Sequence, residues 1–371
     1  MRVNSLKLVN YRNYQELELA FQPALNIFIG CNAQGKTNIL EAVYYAACGS
    51  SFRGNSDGEL IKWNSDGGSI SLGFSRLEVA NQLDFAFRRD KRRTIVYNGQ
   101  KIPLRELIGA FNVVLFAPDD LLLIKGAPAG RRKFLDMEIS QASPAYYREL
   151  ITYNRLLQQR NSLLKEIREG KSKAGMLEFW NPQLAASAAK ITAKRLEAVQ
   201  KFNMLANLMQ RRISGNEENL SLSYQIKGME NGQLAENMEI WYNKMLHGLN
   251  NEEIYRGVTC VGPHRDDIIV SVNGINLKSF GSQGQQRTAV LSMKLSELEF
   301  IRSETGEYPV LLLDDVMSEL DAGRRQQLLN FIEREGIQTL ITATDEAYFQ
   351  QAPLKTYFQV EAGQVKVVNK V

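Results

Sequence analysis

The chain has 371 residues, of which 44% are hydrophobic and 23% charged, so it is long enough for two domains or one domain with an insertion. The sequence contains no run of about 20 apolar residues, which argues against a membrane-spanning helix. The formal net charge of +4 only weakly favours nucleic acid over other partners. The N-terminal residues alternate like a strand and lack a signal-peptide core, so we expect a cytoplasmic protein.

Three short strands are predicted first, in the segments LKLVNYRNY, LELAF and LNIFIG. The third leads into a glycine-bounded loop. The helix after that loop starts near Lys36 and places Ile39, Leu40, Val43 and Tyr44 at helical spacing. This order of strand, glycine loop and helix is typical of a nucleotide-phosphate site.

The loop itself matches the pattern G-x-x-x-x-G-K-[ST]. Its members are Gly30, Cys31, Asn32, Ala33, Gln34, Gly35, Lys36 and Thr37. Glycines let backbone N–H groups turn toward phosphate oxygens, Lys36 would reach the outer phosphates, and Thr37 would offer its hydroxyl to Mg²⁺. An ordinary glycine-containing turn is the alternative, but the flanking strand and helix favour the phosphate loop.

Two basic clusters follow along the chain. The first surrounds a predicted hairpin with an Asn98-Gly99 turn, inside a predicted antiparallel sheet from residue 69 to 104, and consists of Arg88, Arg89, Lys91, Arg92, Arg93 and Lys101. The second follows the strand NVVLF and consists of Arg131, Arg132 and Lys133. We interpret Arg88, Arg89, Lys91, Arg92 and Arg93 as contacts to DNA phosphates. A solvated basic face fits the same pattern.

Two long helical patterns come next. Start signals at Ser143-Pro144 and Asn181-Pro182 predict an antiparallel hairpin with arms of about 25 to 30 residues. Apolar residues keep a three-four spacing that is interrupted by Arg160 in the first arm and by Arg195 in the second. The hairpin is therefore predicted to be a short arm.

Strands and helices alternate after Gly257. A second Asn-Gly hairpin in DDIIVSVNGINLKSF is followed by the helix GQQRTAVLSMKLSELEFIRSE, the strand PVLLLDD, the helix AGRRQQLLNFIERE and the strand IQTLITAT. Such alternation predicts a parallel sheet, completed by the N-terminal strand that enters the phosphate loop. One α/β head would then be split in sequence by the segment between.

Acidic residues stand where the metal of a phosphate site would need them. Asp314 and Asp315 end an apolar strand, so Asp314 would hold Mg²⁺ and Asp315 would act as the general base toward water. A strand ending in a solvated acidic turn is the alternative. Ser282, Gly284 and Gln285 form a further candidate anion site at a helix start, with a flexible, well-capped loop as its alternative.

Together these motifs resemble the ABC-type ATPase head, in which the signature serine and glycine of one protomer cover the γ-phosphate bound by the other. The segments NYRNY, NAQGKTNILEAVY, GSSFRG, FAPDDLLLIKGAPAGRRKFLD, GPHRDD, GSQGQQRTAVLSMKL, LLLDDVMSELD and ITAT narrow the resemblance to the bacterial RecF family, relatives of the SMC ATPases. The resemblance covers essentially the whole chain. It implies a P-loop ATPase head in two parts, residues 1–118 and 251–371. A helical hairpin lobe at residues 119–250 would separate these parts.

The resemblance also implies function. Members are ATP-dependent DNA-binding proteins of recombinational repair, acting at gapped or junction DNA with Mg²⁺, dimerising with ATP, and working with the mediator proteins RecR and RecO. By position, Arg12 and Asn13 would approach the nucleotide, while Ser318 and Asp321 would lie in the loop that crosses the dimer interface. These roles are expectations for this chain.

The chain departs from ABC transporters at two catalytic positions. Asp315 replaces a glutamate, and Thr342 and Thr344 stand in place of a switch histidine. No clear Q-loop glutamine follows NVVLF. We therefore expect slow hydrolysis that serves as a switch. The segment Gly262–Asp267 either touches nucleotide or a partner, or forms a turn with an internal Arg–Asp pair.

Other functional classes fit less well. A transporter subunit would have a shorter helical insertion and the switch histidine that this chain lacks. A kinase would have a substrate lid, and a GTPase usually has an N-K-x-D motif that we do not find. A nucleotide-binding transporter subunit, or another SMC-like ATPase, remains the alternative function.

Overall fold

A computed structural model describes residues 1–54, 56–230, 235–349 and 355–368. The strands in this part are β1 (Arg2–Tyr11), β2 (Tyr14–Ala20), β3 (Leu25–Ile29), β4 (Gly67–Arg76), β5 (Val79–Arg88), β6 (Lys91–Tyr97), β7 (Gln100–Lys101), β8 (Val113–Phe116), β9 (Leu220–Gln225), β10 (Asp267–Val272), β11 (Ile275–Asn276), β12 (Val310–Asp314), β13 (Thr339–Ala343), β14 (Lys355–Glu361) and β15 (Gln364–Val368).

The α-helices are α1 (Lys36–Cys48), α2 (Leu104–Leu107), α3 (Leu122–Lys125), α4 (Pro128–Ala142), α5 (Pro144–Arg168), α6 (Leu177–Ile213), α7 (Met238–Gly248), α8 (Asn250–Arg256), α9 (Leu277–Phe280), α10 (Gln283–Thr305) and α11 (Ala322–Glu335). Among these described elements, no helix is both long and apolar enough to cross a bilayer.

A six-stranded sheet holds the centre of the α/β head, in the order β15-β14-β3-β13-β12-β8. Neighbouring strands from β14 to β8 run parallel, and β15 pairs antiparallel with β14. Strands β3, β12 and β13 are buried at every position, as expected for parallel strands covered on both faces. The prediction that β3 joins C-terminal strands in one parallel sheet is confirmed.

A second sheet packs beside the head, in the order β2-β1-β4-β5-β6-β7, with all pairs antiparallel. The predicted Asn98-Gly99 turn closes β6 and β7, with both residues at positive φ. The sheet is larger than the predicted segment from residue 69 to 104, because β1 pairs with both β2 and β4.

The helical hairpin consists of α5 and α6. Helix α5 starts at Pro144 as predicted, but the prediction that the second helix starts at Asn181-Pro182 is wrong, because α6 begins at Leu177 and contains Pro182. Leu177 is buried against the end of α5, and Asn181 accepts a hydrogen bond of 2.9 Å from Arg160. These contacts offset the one helical hydrogen bond that proline removes.

Helix α6 also has 37 residues, longer than the predicted 25 to 30, because its C-terminal part packs in the same core as α10. Arg160 and Arg195 do not interrupt the buried face of the hairpin, since both are themselves buried. Arg160 pairs with Glu253 at 2.7 Å and Arg195 pairs with Asp136 at 2.8 Å. A buried arginine thus replaces an apolar residue where a fixed carboxylate faces it.

Several elements have weak sequence patterns and were not predicted: α4, α7, α8, β9 and the hairpin of β14 and β15. Strand β9 pairs with β10 of the predicted second hairpin, which makes a three-stranded sheet. One continuous core includes side chains from both 119–250 and 251–371. The domain boundaries at residues 118 and 250 stay a prediction.

A buried charge cluster lies where α4, α10 and the turn after β8 meet. Lys294 contacts Asp120 at 3.3 Å and Glu297 at 3.1 Å. Burial raises the pKa of Glu138 to about 7 and raises the pKa of Glu297 well above its usual value. Burial alone would lower the pKa of Lys294, but Asp120, Glu297 and Glu138 raise it overall. The cluster therefore holds a bound proton in mildly acidic solution.

This cluster predicts a pH-dependent stability. Because the pKa of Glu138 is higher in the folded than in the unfolded chain, its contribution is present below about pH 4.5 and is lost as the pH rises through about 7. We expect Glu138→Gln to reduce the loss of unfolding free energy between pH 5.5 and pH 8, measured by urea denaturation. Glu333→Gln, at an exposed position, is the control. Equal pH slopes in wild type and Glu138→Gln would contradict this account.

Candidate functional site

The candidate site lies at the carboxyl ends of three adjacent strands, β3, β13 and β12. The loop Gly30–Gly35 follows β3, Asp315 follows β12, and Thr344 follows β13. Since parallel strands end at the same edge of a sheet, segments more than 270 residues apart in sequence meet here.

Glycines fit the loop for steric reasons. Gly35 has φ +113°, and a Cβ there would lie 2.5 Å from Asn13 Nδ2 and 2.8 Å from the Tyr14 hydroxyl. A Cβ on Gly30 would collide with the carbonyl of Val360. The loop is further fixed because Asn13 donates to the Gln34 carbonyl at 3.0 Å. Its backbone is therefore held in one shape around the start of α1.

Lys36 folds back on the loop that precedes it. Its Nζ donates to the carbonyls of Gly30 at 2.6 Å and Cys31 at 2.8 Å. Burial lowers its pKa, while the charges of Asp315, Cys31 and Asp314 act to raise it. The ammonium group thus sits at the centre of the loop, where an anionic group would replace the two carbonyls as its partner.

A hydroxyl–carboxylate chain joins the three strand ends. Thr37 and Thr342 each donate a hydrogen bond of 2.8 Å to Asp314 Oδ1, and Thr342 accepts one of 2.9 Å from the Asp315 N–H. Asp315 has φ 54°, which is uncommon for a residue other than glycine. Burial raises its pKa, Lys36 acts to lower it, and Asp314 acts to raise it. The Asp314 carboxylate is therefore held by two hydroxyls, and the charge of Asp315 acts on Lys36 of the loop.

The Thr37 hydroxyl and the Asp314 carboxylate are hard oxygen donors of the kind that Mg²⁺ prefers. They already lie within hydrogen-bond distance of each other, so the pair fits a small divalent cation next to the loop.

Arg12 and Asn13 lie beside the loop, at the turn between β1 and β2. Arg12 makes a bidentate pair with buried Glu41 at 2.9 and 2.6 Å and donates to the Glu59 carbonyl at 2.9 Å. Arg12 thus anchors α1 to the segment around Glu59. Asn13 also accepts from Asn38 at 2.8 Å. Asn13 is therefore the one of the two that directly contacts the loop.

A side pocket of about 490 Å³ opens next to this turn. Its lining includes Arg12, Asn13, Asn38, Lys62 and Trp63. Trp63 is 87% exposed, which is unusual for so large an apolar side chain, and its ring is available to a flat ligand.

The predicted signature residues form a second, separate group. Ser282 and Gln285 make reciprocal capping hydrogen bonds of 3.2 and 3.1 Å at the start of α10. Asp321 caps α11 by accepting from the Arg324 N–H at 2.9 Å, and Arg324 donates to Thr288 at 2.6 Å. Gly284 lies in the first turn of α10, and its carbonyl accepts from Arg324 at 3.4 Å. In the described part of the chain, no hydrogen bond or ion pair links this group to the phosphate loop.

Members of the first basic cluster have different environments. Arg88, Lys91 and Arg92 are exposed. Arg89 donates to the Ser65 carbonyl at 3.0 Å, and Arg93 pairs with Asp57 at 2.9 Å. Arg88, Lys91 and Arg92, together with the exposed Lys101, are therefore free for an external partner.

The second basic cluster is tied to the segment Gly262–Asp267. Arg131 pairs with Asp267 at 2.7 and 2.8 Å, and Arg132 donates to the Asp266 carbonyl at 2.7 Å. His264 contacts the Tyr153 hydroxyl at 2.6 Å, and burial lowers the pKa of His264 to about 4. This segment therefore has a structural role here: it connects α4, α5 and the three-stranded sheet. The Arg–Asp pair forms with Arg131 of α4, and is not internal to the turn.

Sequence reasoning missed two supports of the loop and the role of Thr342. The Tyr14 hydroxyl donates to the Gly35 carbonyl at 3.0 Å, and Gln34 accepts from the Ala362 N–H at 2.6 Å. Thr342 entered the sequence analysis only as the replacement of a histidine. Its position two residues before the end of IQTLITAT, facing the end of β12, is the signal that pairs it with Asp314.

Comparison with known proteins gives a consistent result. The model of the RecF/RecN/SMC N terminal domain matches residues 2–368. The DNA replication and repair protein RecF of Alkaliphilus oremlandii is 45% identical over 352 residues, 93% of each chain. The protein of the same name from Listeria monocytogenes serotype 4b is 42% identical over 372 residues, 99% of this chain and 100% of the relative.

Solved structures agree. A structure of the recombination mediator protein RecF with ATP, in the RecFOR pathway, has a TM-score of 0.92 at 34% identity and covers 99% of this chain and 98% of that one. A crystal structure of an SMC head bound to the C-terminal winged-helix domain of ScpA has a TM-score of 0.58 at 14% identity, which shows likeness of fold alone. The predicted fold class, a split SMC-like ATPase head with an inserted helical hairpin, is confirmed.

Proposed function

The chain belongs to the RecF family within the RecF/RecN/SMC group, and from this premise we propose that it is an ATP-dependent DNA-binding protein of recombinational repair. One observation carries the proposal: the Thr37 hydroxyl lies 2.8 Å from Asp314, so the phosphate loop and the acidic strand end form one site. A relative of 34% identity was solved with ATP. The site in this chain has the donors that a nucleotide phosphate and Mg²⁺ need.

The catalytic roles follow from position. Lys36 binds the outer phosphates, Thr37 and Asp314 hold Mg²⁺, and Asp315 orients and deprotonates the attacking water. The metal supplies charge neutralisation when bound. Asp315 suits the base role because burial raises its pKa, and the hydrogen bond from its backbone N–H to Thr342 fixes its backbone at the strand end.

The nucleoside of ATP binds in the side pocket. It adjoins the phosphate loop through Asn13, and its exposed Trp63 ring offers a stacking surface for adenine. Arg12, already paired with Glu41, shapes the pocket wall.

ATP turnover is slow because the site lacks two groups that accelerate ATP hydrolysis in ABC transporters. Asp315 has a shorter side chain than glutamate, and Thr342 bonds Asp314 rather than facing a phosphate. ATP hydrolysis then acts as a timer.

Dimerisation completes the site. The signature group of Ser282, Gly284, Gln285 and Asp321 is an anion site at the start of a long helix with no metal donor, and the phosphate loop surrounds only part of a triphosphate. In a two-fold dimer, each signature group covers the nucleotide of the other copy. ATP thereby holds two copies together on gapped or junction DNA. Bound there, the dimer helps RecR and RecO load the strand-exchange protein.

The ATP site is tested by two substitutions, one that should weaken ATP binding and one that should slow ATP hydrolysis. We expect Lys36→Ala to weaken ATP binding in calorimetric titration, because it removes the fixed positive charge of the loop. We expect Asp315→Asn to keep ATP affinity and lower phosphate release by about 100-fold or more, the usual loss with a general base. Lys7→Ala, which removes an exposed lysine of β1, is the control. Normal hydrolysis by Asp315→Asn would place the base elsewhere.

The dimer is tested by sedimentation. We expect wild type to dimerise with ATP and not with ADP. We expect Ser282→Arg to stay monomeric, because the long arginine side chain would fill the space that the γ-phosphate bound by the other copy would occupy. Ser303→Arg, exposed at the other end of α10, should dimerise like wild type. Dimerisation of Ser282→Arg with ATP would refute the shared site and leave the ATP site intact.

The DNA surface is tested by salt dependence. Since Arg93 is held by Asp57, the informative variant is Arg88→Ala/Lys91→Ala. Each neutralised phosphate contributes about 0.9 to the log–log salt slope on duplex DNA, so we expect the slope to flatten by about 1.8. Lys125→Ala/Lys244→Ala, which removes two exposed lysines elsewhere, is the matched control. An unchanged slope would assign Arg88 and Lys91 to the solvated surface.

A further inference from the structure

A large cleft separates the antiparallel sheet from the helices α4 and α5. Its volume is about 1150 Å³, above the range of about 300 to 1,000 Å³ for small-molecule pockets. The two basic clusters, about 40 residues apart in sequence, both contribute side chains to it: Arg92, Arg93 and Lys101 on one wall, Arg132 and Lys133 on the other.

The cleft is strongly positive. Six cationic side chains line it against two carboxylates, Asp57 and Asp136. The excess of four charges equals the formal net charge of the whole chain, +4, so the rest of the protein is neutral on balance. A field concentrated in one concave region attracts an anionic ligand there.

Three of the cations are free to bind. Arg93 pairs with Asp57, Arg195 pairs with Asp136, and Arg132 donates to the Asp266 carbonyl. The side chains of Arg92, Lys101 and Lys133 are exposed and make no hydrogen bond or ion pair within the residues that the structure describes. The three held arginines are less exposed than the three free cations.

Apolar side chains stand between these cations, alongside serines and Asn154. Ile102, Leu104, Leu150 and Tyr147 line the cleft, each half-buried. A duplex presents phosphates outward and keeps its bases inside, so its base faces would not contact apolar side chains in the cleft. A single strand offers phosphates and base faces together, and binds grooves that combine cations with aromatic rings.

We propose that this cleft binds a single-stranded segment of DNA, with phosphates on Arg92, Lys101 and Lys133 and a base stacked on Tyr147. The inference rests on the proposed DNA-binding function and adds to it: the exposed Arg88 and Lys91 bind duplex, and the cleft binds the adjoining single strand.

The experiment measures anisotropy of a labelled 10-nucleotide strand and of a 20-base-pair blunt duplex over a range of salt. For Lys101→Ala/Lys133→Ala we expect the single-strand slope to flatten by about 1.4, from about 0.7 per phosphate, with the duplex slope unchanged. Arg88→Ala/Lys91→Ala should keep the single-strand slope. Lys101→Arg/Lys133→Arg, which preserves both charges, should behave like wild type.

Stacking is measured separately. Tyr147→Ala should weaken single-strand binding at least about fivefold without changing the salt slope, and Tyr147→Phe should not weaken it, since the ring is kept. ATP affinity serves as the folding control for all variants.

Three results would overturn the inference: a wild-type single-strand slope in Lys101→Ala/Lys133→Ala, an equal loss on duplex and single strand, or competition by the mononucleotide dTMP as effective as by the 10-nucleotide strand. Failure of the proposed function looks different, because wild type would then bind neither DNA.

Discussion

The hydrogen bond between Thr37 and Asp314 depends on the whole architecture, because it joins side chains 277 positions apart in sequence. It forms only if β3, β13 and β12 lie side by side with matched ends, which the parallel register sets: Ala343 pairs with Ile29, and Asp314 with Thr342. A shift of one residue would turn every side chain to the other face. The buried, β-branched and leucine-rich strands fix that register, so core packing positions the chemistry.

Much of the head could be predicted from sequence because its signals are local. A glycine loop between a strand and a helix, and two aspartates at a strand end, have their meaning within a few residues. The missed supports are different in kind. Tyr14, Glu41 and Ala362 look unremarkable in sequence, since each acts only on a partner that the fold brings to it. The start of α6 was misplaced for the same reason: a local proline rule was overridden by burial of Leu177.

The buried arginines illustrate how polar residues define the helical lobe. Arg160 and Arg195 interrupt an apolar pattern, yet both are buried with a carboxylate and further acceptors. Such pairs add little net stability, because desolvation offsets attraction, but truncating one partner leaves a costly buried charge. They select one arrangement of the hairpin on the segment Gly262–Asp267. The basic cleft depends on that arrangement, since Arg195 and His264 line it.

Helix α1 gives the two proposed ligand sites a physical connection. Its first residue is Lys36 of the phosphate loop, and its last, Cys48, lines the cleft about 20 Å away. Glu41, in the middle, is buried, pairs with Arg12 and accepts from Ser51 of the cleft wall at 2.5 Å. Because α1 is enclosed in this way, it moves as a rigid unit, and a displacement of one end also displaces the other end. If both ligands favour one position of α1, reciprocity requires ATP and the single strand to raise each other's affinity by the same factor.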